Sequence, residues 1–278
     1  MAEKRKSPIL LTLANMQSVQ TLSIAGGEVA YFSTAGPERD RPNQDAAGII
    51  PLSERAGVLV VADGVGSTER AEEASTLAVH CLKDTLEQID PESSDSVRSA
   101  ILTGLHSANT LITDLRTEAA TTIMVCAIHA QKVTFFHAGD STAACFGRNG
   151  KLKFQTVAHS PVGMLLASGE LTEQQARSHN ERHFISNALG LPELSLEESP
   201  TYSLQVADTV VLSTDGLTDN LYFQEIGAKI KNGSVRQSTE AIVTIARQRM
   251  LDHKLSHLSK PDDLTVLTFR RHRLKAAR

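Results

Sequence analysis

The hydrophobic period of the chain changes from strand to helix and back to strand, and this order constrains the fold more than any other feature. Two long segments, 68–89 and 97–115, carry apolar residues at the i, i+3 and i+4 spacing of a helix with one buried face. A third predicted helix covers 235–251. The predicted strands, which lie before and after the first two helices, are 28–33, 46–51, 57–62, 120–129, 132–138, 142–147, 151–157, 201–206, 209–213 and 263–270. Because strand runs and helix runs are segregated, the sequence predicts an α+β domain and not a doubly wound sheet.

The four predicted strands between 120 and 157 are separated by short turn signals, and we interpret them as an antiparallel meander. The main domain is predicted to cover 28–270. Residues 1–27 are expected to form an N-terminal tail or a first strand, and residues 271–278 a basic C-terminal tail, solvated or bound to an acidic partner.

Composition is that of an ordinary globular protein. Hydrophobic residues make up 41% and charged residues 22% of the 278 residues. The formal charge of −4 argues against binding to nucleic acid or to an anionic membrane. No apolar run approaches the roughly 18 residues of a membrane helix. Cys81, Cys126 and Cys145 lack metal-ligand spacing, so we expect reduced core cysteines in a cytoplasmic protein. We expect the protein to be a monomer.

Carboxylates recur at the ends of the predicted strands. The five aspartates at these positions are Asp45, Asp63, Asp140, Asp215 and Asp262, and three of them adjoin a glycine. A single Asp-Gly pair is usually only a turn. No basic residue adjoins Asp63 or Asp215 in the sequence, however, and converging carboxylates without a counter-charge repel each other. The pattern therefore favours a hard divalent cation with oxygen ligands, Mg²⁺ or Mn²⁺, over Zn²⁺.

Six stretches also carry a family resemblance: RPNQDA (41–46), VLVVADGVGS (58–67), AATTIMVCAI (119–128), FFHAGDSTA (135–143), VVLSTDGLTDNL (210–221) and PDDLTVLTF (261–269). In order and spacing they resemble the motifs of the type 2C metal-dependent serine/threonine protein phosphatases. The resemblance implies an α-β-β-α sandwich of two antiparallel sheets flanked by helices, with a two-metal centre at one edge. It also implies that the polar stretch 158–190 is the flap that bacterial members place beside the active site.

The same resemblance implies roles for individual residues. Asp63 is expected to bridge both metals, and Gly64 to contribute its carbonyl oxygen. Asp215 and Asp262 are expected to complete the first metal site, and Asp45 to hold metal-bound water. These four aspartates form the implied catalytic set.

A weaker third metal is implied at Asp140 and Asp219. Asp263 matches a position close to the bound phosphate, where many family members have Asn. Two tightly bound Mg²⁺ or Mn²⁺ ions can share one water and lower its pKa, so that hydroxide attacks the phosphoryl group. This chemistry needs no protein nucleophile, which suits a sequence without a nucleophile elbow.

The sequence departs from the family pattern at two points. The phosphate-binding arginine normally lies five residues before the first aspartate, where this chain has Asp40 flanked by Arg39 and Arg41. Arg39 is favoured because Arg41 precedes Pro42 and is therefore restricted to an extended backbone. Val65 stands where other members have the histidine proposed as general acid.

The preferred hypothesis is an active phosphatase for phosphoserine and phosphothreonine in proteins. The main alternative is a phosphoprotein-binding pseudophosphatase on the same fold, and a phosphatase for small phosphate esters is a third possibility. In the flap, Arg182, His183 and Asn187 are candidates for substrate contact. His137 lies in an apolar strand and is interpreted as a hydrogen-bonded core histidine.

Overall fold

The computed structural model describes residues 6–37, 41–65, 69–252 and 260–272, which contain thirteen strands and seven helices. The strands are β1 (Ile9–Thr12), β2 (Gln20–Ile24), β3 (Gly27–Thr34), β4 (Asp45–Pro51), β5 (Ala56–Asp63), β6 (Ile123–His129), β7 (Lys132–Ala138), β8 (Thr142–Phe146), β9 (Leu152–Gln155), β10 (Glu197–Glu198), β11 (Tyr202–Ser203), β12 (Thr209–Ser213) and β13 (Leu264–Arg271). The helices are α1 (Ala71–Leu86), α2 (Ser94–Asp114), α3 (Pro161–Ala167), α4 (Glu173–Arg177), α5 (Asp215–Thr218), α6 (Phe223–Ile230) and α7 (Val235–Leu251).

The strands form two antiparallel sheets. The first has the order β1-β4-β5-β6-β7-β10, with β11 also paired to β7, and the second has the order β2-β3-β13-β12-β8-β9. β1 pairs with β4 and β2 pairs with β3, so the two N-terminal strands extend the two sheets. Residues 1–5 of the predicted N-terminal segment lie outside the described residues.

Three apolar layers hold the sandwich together. One lies between the first sheet and helices α1 and α2, the second between the sheets, and the third between the second sheet and helices α5, α6 and α7. In the middle layer Phe135 of β7 stacks on Phe154 of β9 across the two sheets, with ring centroids 5.2 Å apart. Burying a side chain as large as Phe135 contributes about 1.5–3 kcal/mol. The α-β-β-α sandwich predicted from the sequence is confirmed.

Local sequence fixes where the helices begin. The Ser93 hydroxyl accepts a hydrogen bond from the Ser96 backbone N–H at the start of α2. At α7, Ser234 and Gln237 form a capping box. Each such cap stabilises its helix by about 1 kcal/mol. None of the helices in the described part of the chain is long and apolar enough to cross a bilayer.

The predicted meander is wrong. β6 and β7 belong to the first sheet, whereas β8 and β9 belong to the second, so the chain crosses between sheets after β7. Gly139 makes this crossing with φ +108°, a value that favours glycine. Alternation identifies strands correctly here, but it carries no information about which strands pair.

Two further boundaries differ from expectation. Only Tyr202 and Ser203 of the predicted strand 201–206 pair with β7, because Ser203 lies opposite Lys132, where β7 begins. Arg271, assigned from the sequence to the solvated tail, is the last residue of β13, and its guanidinium donates to the Leu204 carbonyl and to Gln131. Residues 273–278 lie outside the described residues.

Candidate metal centre

The aspartates singled out in the sequence converge at one edge of the two sheets. Asp45 is the first residue of β4 and Asp63 the last of β5, and the two face each other in register. Asp215 begins α5 directly after β12, and Asp262 immediately precedes the segment that enters β13. Asp140 follows β7 at the crossing between the sheets. Strand pairing therefore brings together side chains that are far apart in the sequence.

The electrostatics of Asp63 reflect its position among these carboxylates. Burial raises the pKa of Asp63 well above its ordinary value, and the charges of Asp45, Asp215, Asp262 and Asp140 raise it further. Such a group is costly to ionise without a nearby cation.

Asp45 is equally buried, and two of its neighbours hold it in place. Burial and the charge of Asp263 raise the pKa of Asp45 well above its ordinary value, although hydrogen bonds from Thr265 and Thr214 oppose the shift. The Thr214 hydroxyl donates to Asp45 Oδ2 at 2.9 Å. Asp45 Oδ1 is buried without a hydrogen-bond partner, and so is Asp140 Oδ1. Buried carboxylate oxygens with spare lone pairs are the ligands that Mg²⁺ and Mn²⁺ prefer, so the donor set fits a divalent cation.

Asp140 is held by its turn. A side chain at Gly139 would place its Cβ 2.6 Å from Thr122 Cβ, so only glycine fits there. The Thr122 hydroxyl shares a 2.7 Å hydrogen bond with Ser141 on the other side of Asp140. Burial raises the pKa of Asp140 to about 7; the charge of Asp215 adds to the rise and Lys260 opposes it.

Gly64 adjoins Asp63 in a crowded turn. Its backbone N–H donates to the Gln44 carbonyl at 3.1 Å. A Cβ at this position would lie 2.5 Å from the Ala71 carbonyl oxygen. Glycine therefore lets the backbone at Asp63 approach α1 and the 41–44 segment closely.

One expectation about charge is wrong. No basic residue adjoins Asp215 in the sequence, but the Lys260 ammonium contacts Asp215 Oδ2 and lies 2.8 Å from Asp219 Oδ2 and 3.3 Å from Asp262 Oδ2. Burial lowers the pKa of Lys260, but the three carboxylates outweigh it, so that this pKa lies well above its ordinary value. Half of the cluster thus has a counter-charge within the chain.

Asn220, to which the sequence reading gave no role, fixes the backbone of Lys260. The Asn220 side chain is fully buried. Its amide nitrogen donates to the Lys260 carbonyl at 3.0 Å and its oxygen accepts from the Lys260 N–H at 3.2 Å. Asn220 has a sequence signal, its place in the DGLTDNL motif, whereas Lys260 stands two residues before Asp262 without a local sign of its role.

Asp263 acts on the loop that carries the candidate arginines. Its Oδ1 accepts from the Gly36 N–H at 2.7 Å, and its Oδ2 accepts from the Gln44 N–H at 2.9 Å. Asp263 thereby ties together the two ends of the loop. Arg41 lies in this loop and is half-buried, whereas Arg39 lies outside the described residues.

The flap lies against the Asp219 side of the cluster. Arg177 of α4 donates to the Asp219 carbonyl at 2.9 Å and to the Leu221 carbonyl at 2.5 Å. Its guanidinium also lies 4.0 Å from the centre of the Tyr222 ring. A cavity of about 160 Å³ opens between flap and core, and its lining includes Arg182, Asp140, Asp215 and Asp219. His183, another flap candidate, is exposed and does not line this cavity.

His137, His159 and Glu197 form a second cluster, behind the Asp140 turn. His159 Nδ1 accepts from the Gly139 N–H at 3.3 Å and from the Asn187 amide at 2.7 Å, so its Nε2 carries the proton and donates to Glu197 at 3.1 Å. His137 Nε2 donates to the Val157 carbonyl at 3.0 Å. Metal-ligating histidines donate from their other ring nitrogen, which His159 cannot do here. These histidines are therefore structural, as the sequence predicted for His137.

Residues 37–258 match the family described as protein phosphatase 2C. The chain belongs to the protein phosphatase 2C family. A serine/threonine phosphatase named stp from Listeria welshimeri is 24% identical over 257 residues, covering 90% of this chain and 98% of its own length. The phosphatase PhpP of Streptococcus pneumoniae is 27% identical over 227 residues, covering 79% of this chain and 91% of its own.

Solved structures share the fold. The serine/threonine phosphatase of Streptococcus agalactiae superimposes with a TM-score of 0.76 at 24% identity, covering 88% of this chain and 99% of its own. The catalytic domain of the phosphatase PstP, solved in complex with 2 manganese ions, gives a TM-score of 0.67 at 20% identity, covering 88% of this chain and 98% of its own. The type 2C resemblance found in the sequence is confirmed, and the chain is a protein phosphatase by family.

Proposed function

We propose that the chain hydrolyses phosphoserine and phosphothreonine in phosphorylated proteins with the help of two divalent cations, Mg²⁺ or Mn²⁺. The observation that carries the proposal is the convergence of Asp45, Asp63, Asp215 and Asp262 at one sheet edge, with a buried Asp45 oxygen that has no hydrogen-bond partner. The names of the relatives support the substrate class, and the manganese complex of PstP supports the metal.

In this proposal Asp63, Asp215 and Asp262 hold the cations together with the Gly64 carbonyl oxygen. The cations, when bound, lower the pKa of a water molecule and neutralise charge on the phosphoryl group. Asp45 has one oxygen fixed by Thr214, and its other oxygen is available to accept a hydrogen bond from the attacking water. The carboxylate thereby orients the water toward phosphorus.

The phosphoryl oxygens are bound by an arginine of the 36–44 loop, Arg39 or Arg41. A guanidinium donates two parallel hydrogen bonds to a phosphoryl group. Asp263 contributes indirectly, because it fixes both ends of that loop. Val65 has no proton to give, so the leaving serine or threonine oxygen takes its proton from water. The flap cavity beside Asp219 accommodates the residues around the phosphorylated side chain.

Asp140 and Asp219 remain the proposed ligands for any third, weaker cation. We also propose that the protein is a cytoplasmic monomer; its three free cysteines are consistent with a reducing compartment.

A phosphatase assay on the purified chain with Mn²⁺ tests the proposal. The substrates are a phosphothreonine peptide, a phosphoserine peptide and an aryl phosphate, each with and without EDTA. If the chain hydrolyses the peptides and EDTA abolishes this turnover, the result supports a protein phosphatase. If only the aryl phosphate is hydrolysed, the result supports the hypothesis that the protein is a phosphatase for small phosphate esters. Binding of phosphopeptide without turnover supports the pseudophosphatase.

A further inference from the structure

Lys260 is the one cation that the structure places against three of the metal-centre carboxylates within the described residues. We propose that its ammonium group is a built-in counter-ion that takes the place of a third divalent cation at Asp219, so that the centre is complete with two. This inference rests on the proposed two-cation function. It assigns to Lys260 a role in setting how many cations the protein binds.

The contacts suit an ammonium group. An ammonium has three N–H donors and no acceptor, and three separate carboxylates surround this one. The distance of 2.8 Å to Asp219 is that of a charged N–H donor, and Asp262 lies at 3.3 Å as an ion-pair partner. A divalent cation bound to the same oxygens needs shorter distances of about 2.0–2.2 Å, so the two cannot occupy the place at Asp219 together.

The position of Lys260 is fixed by the surrounding chain. Asn220 clamps both backbone polar groups of Lys260 and also donates to the Gly216 carbonyl at 2.9 Å. Lys260 is thereby tied to the helical turn that carries Asp215 and Asp219. Only 21% of its side chain is exposed. A surface lysine that meets acidic groups by chance has neither the clamp nor this burial.

The flap also helps to fix Asp219, one of the three carboxylates that Lys260 contacts. Arg177 donates to the Asp219 carbonyl and so holds the Asp219 backbone in place. Asp219 therefore has a fixed backbone and a carboxylate already engaged by an ammonium. A third cation at Asp219 and Asp140 has to displace Lys260 and overcome its repulsion.

Isothermal titration with Mn²⁺ alone tests the proposal on the full chain. The wild type is expected to bind two ions. Lys260→Met keeps the length of the side chain and removes its charge, and it should bind three. Lys260→Arg, which keeps a cation, should stay at two.

A double variant locates the extra ion. Adding Asp219→Asn to Lys260→Met should return the count to two, because the third ion then loses its carboxylate. Lys260→Gln provides a second uncharged variant in case Lys260→Met does not fold, and circular dichroism reports the fold of each protein.

Three ions in the wild type, or two in both Lys260→Met and Lys260→Gln, would overturn the role of Lys260. A third ion that persists in the double variant would overturn its location. A wild type that binds fewer than two ions would instead contradict the two-cation function, and the inference would fall with it. The two failures are distinguished by the wild-type titration alone.

Discussion

The two halves of the carboxylate cluster solve the same electrostatic problem in different ways. On one side, Asp45 and Asp63 are buried, have strongly raised pKa values and face no cation from the described chain. On the other, Asp215, Asp219 and Asp262 surround the ammonium of Lys260. The first half depends entirely on cations from solution, whereas the second half also has a cation of its own, the Lys260 ammonium.

The difference shows why residue type alone does not define a metal ligand. Every member of the cluster is an aspartate at the end of a strand or a short helix. What separates them is whether a neighbour already neutralises the charge, because a carboxylate engaged by an ammonium binds a second cation less readily. The predictions below test this division, from the largest expected effect to the smallest.

The largest effect is expected at the half without a counter-charge. Asp63→Asn removes the charge proposed to bridge two cations, and Mn²⁺-dependent turnover should fall by more than about 100-fold, since even changes in residues that support metal ligands cost about 10–100-fold. Asp219→Ala should lower turnover far less, with two Mn²⁺ sites still seen in a titration. Initial rates with a phosphothreonine peptide measure both.

The exposed carboxylate of Asp84 offers a matched control, and Asp84→Asn should keep full activity. Circular dichroism establishes that each variant is folded. Comparable losses in Asp63→Asn and Asp219→Ala would erase the distinction between the two halves.

The next effect concerns the phosphate-binding arginine. If Arg39 binds the phosphoryl group, Arg39→Ala should raise KM for a phosphopeptide by about 10–100-fold, the equivalent of losing hydrogen bonds to a charged group. Arg41→Ala should then change KM little. Steady-state kinetics on the two variants measure this, and the reverse result would give the role to Arg41. If neither variant changes KM, one explanation is that a flap arginine such as Arg182 binds the phosphoryl group. The other is that the protein is a pseudophosphatase.

A smaller effect is expected at Asp263, which acts through the loop. Asp263→Ala releases the Gly36 and Gln44 N–H groups, so the loop is no longer held at its two ends. KM for the phosphopeptide should therefore rise several-fold, a change equivalent to the free energy of about one hydrogen bond. Asp263→Asn keeps one acceptor oxygen and should lie between the wild type and Asp263→Ala. Unchanged KM in Asp263→Ala would mean that the loop holds its shape without this residue.

Much of this architecture is readable from the sequence, because hydrophobic period and turn residues act locally. β7 was predicted with the bounds that it has, as were β12 and α7. The aspartates were found for the same reason, since each lies next to a strand that the period reveals. The resemblance to type 2C phosphatases then supplied the sandwich that brings them together.

What the sequence did not reveal is set by contacts between distant segments. Lys260 precedes a proline in a polar stretch and gives no local sign of its contact with Asp215, 45 residues away. The crossing after β7 was missed because alternation does not report which sheet a strand joins. Asp263 was placed near the phosphate, but its hydrogen bonds to Gly36 and Gln44 depend on the folded loop.

The smallest effect is on thermal stability. The dependence of Tm on pH should reveal the carboxyl groups with raised pKa values. Burial raises the pKa of Asp140 to about 7 and raises that of Asp63 well above its ordinary value. A carboxyl group whose pKa is higher in the folded state than in the unfolded chain stabilises the fold at low pH and loses that contribution as the pH rises through the folded value. The cation-free protein should therefore have a lower Tm at pH 8 than at pH 6.5.

The window from pH 6.5 to 8 includes the pKa of Asp140, about 7. Burial lowers the pKa of His137, so its effect on stability lies below pH 6.5, and the buried thiols, with raised pKa values, act above pH 8. The change in Tm should be a few degrees, since about 1 kcal/mol shifts Tm by about 2–4 °C in a chain of this size. Mn²⁺ favours the ionised carboxylates and should reverse the trend, while Asp140→Asn should flatten it in EDTA. A cation-free Tm that rises from pH 6.5 to 8 would mean that the carboxylates without a counter-ion are already neutralised within the fold, and the contrast with the Lys260 half would disappear.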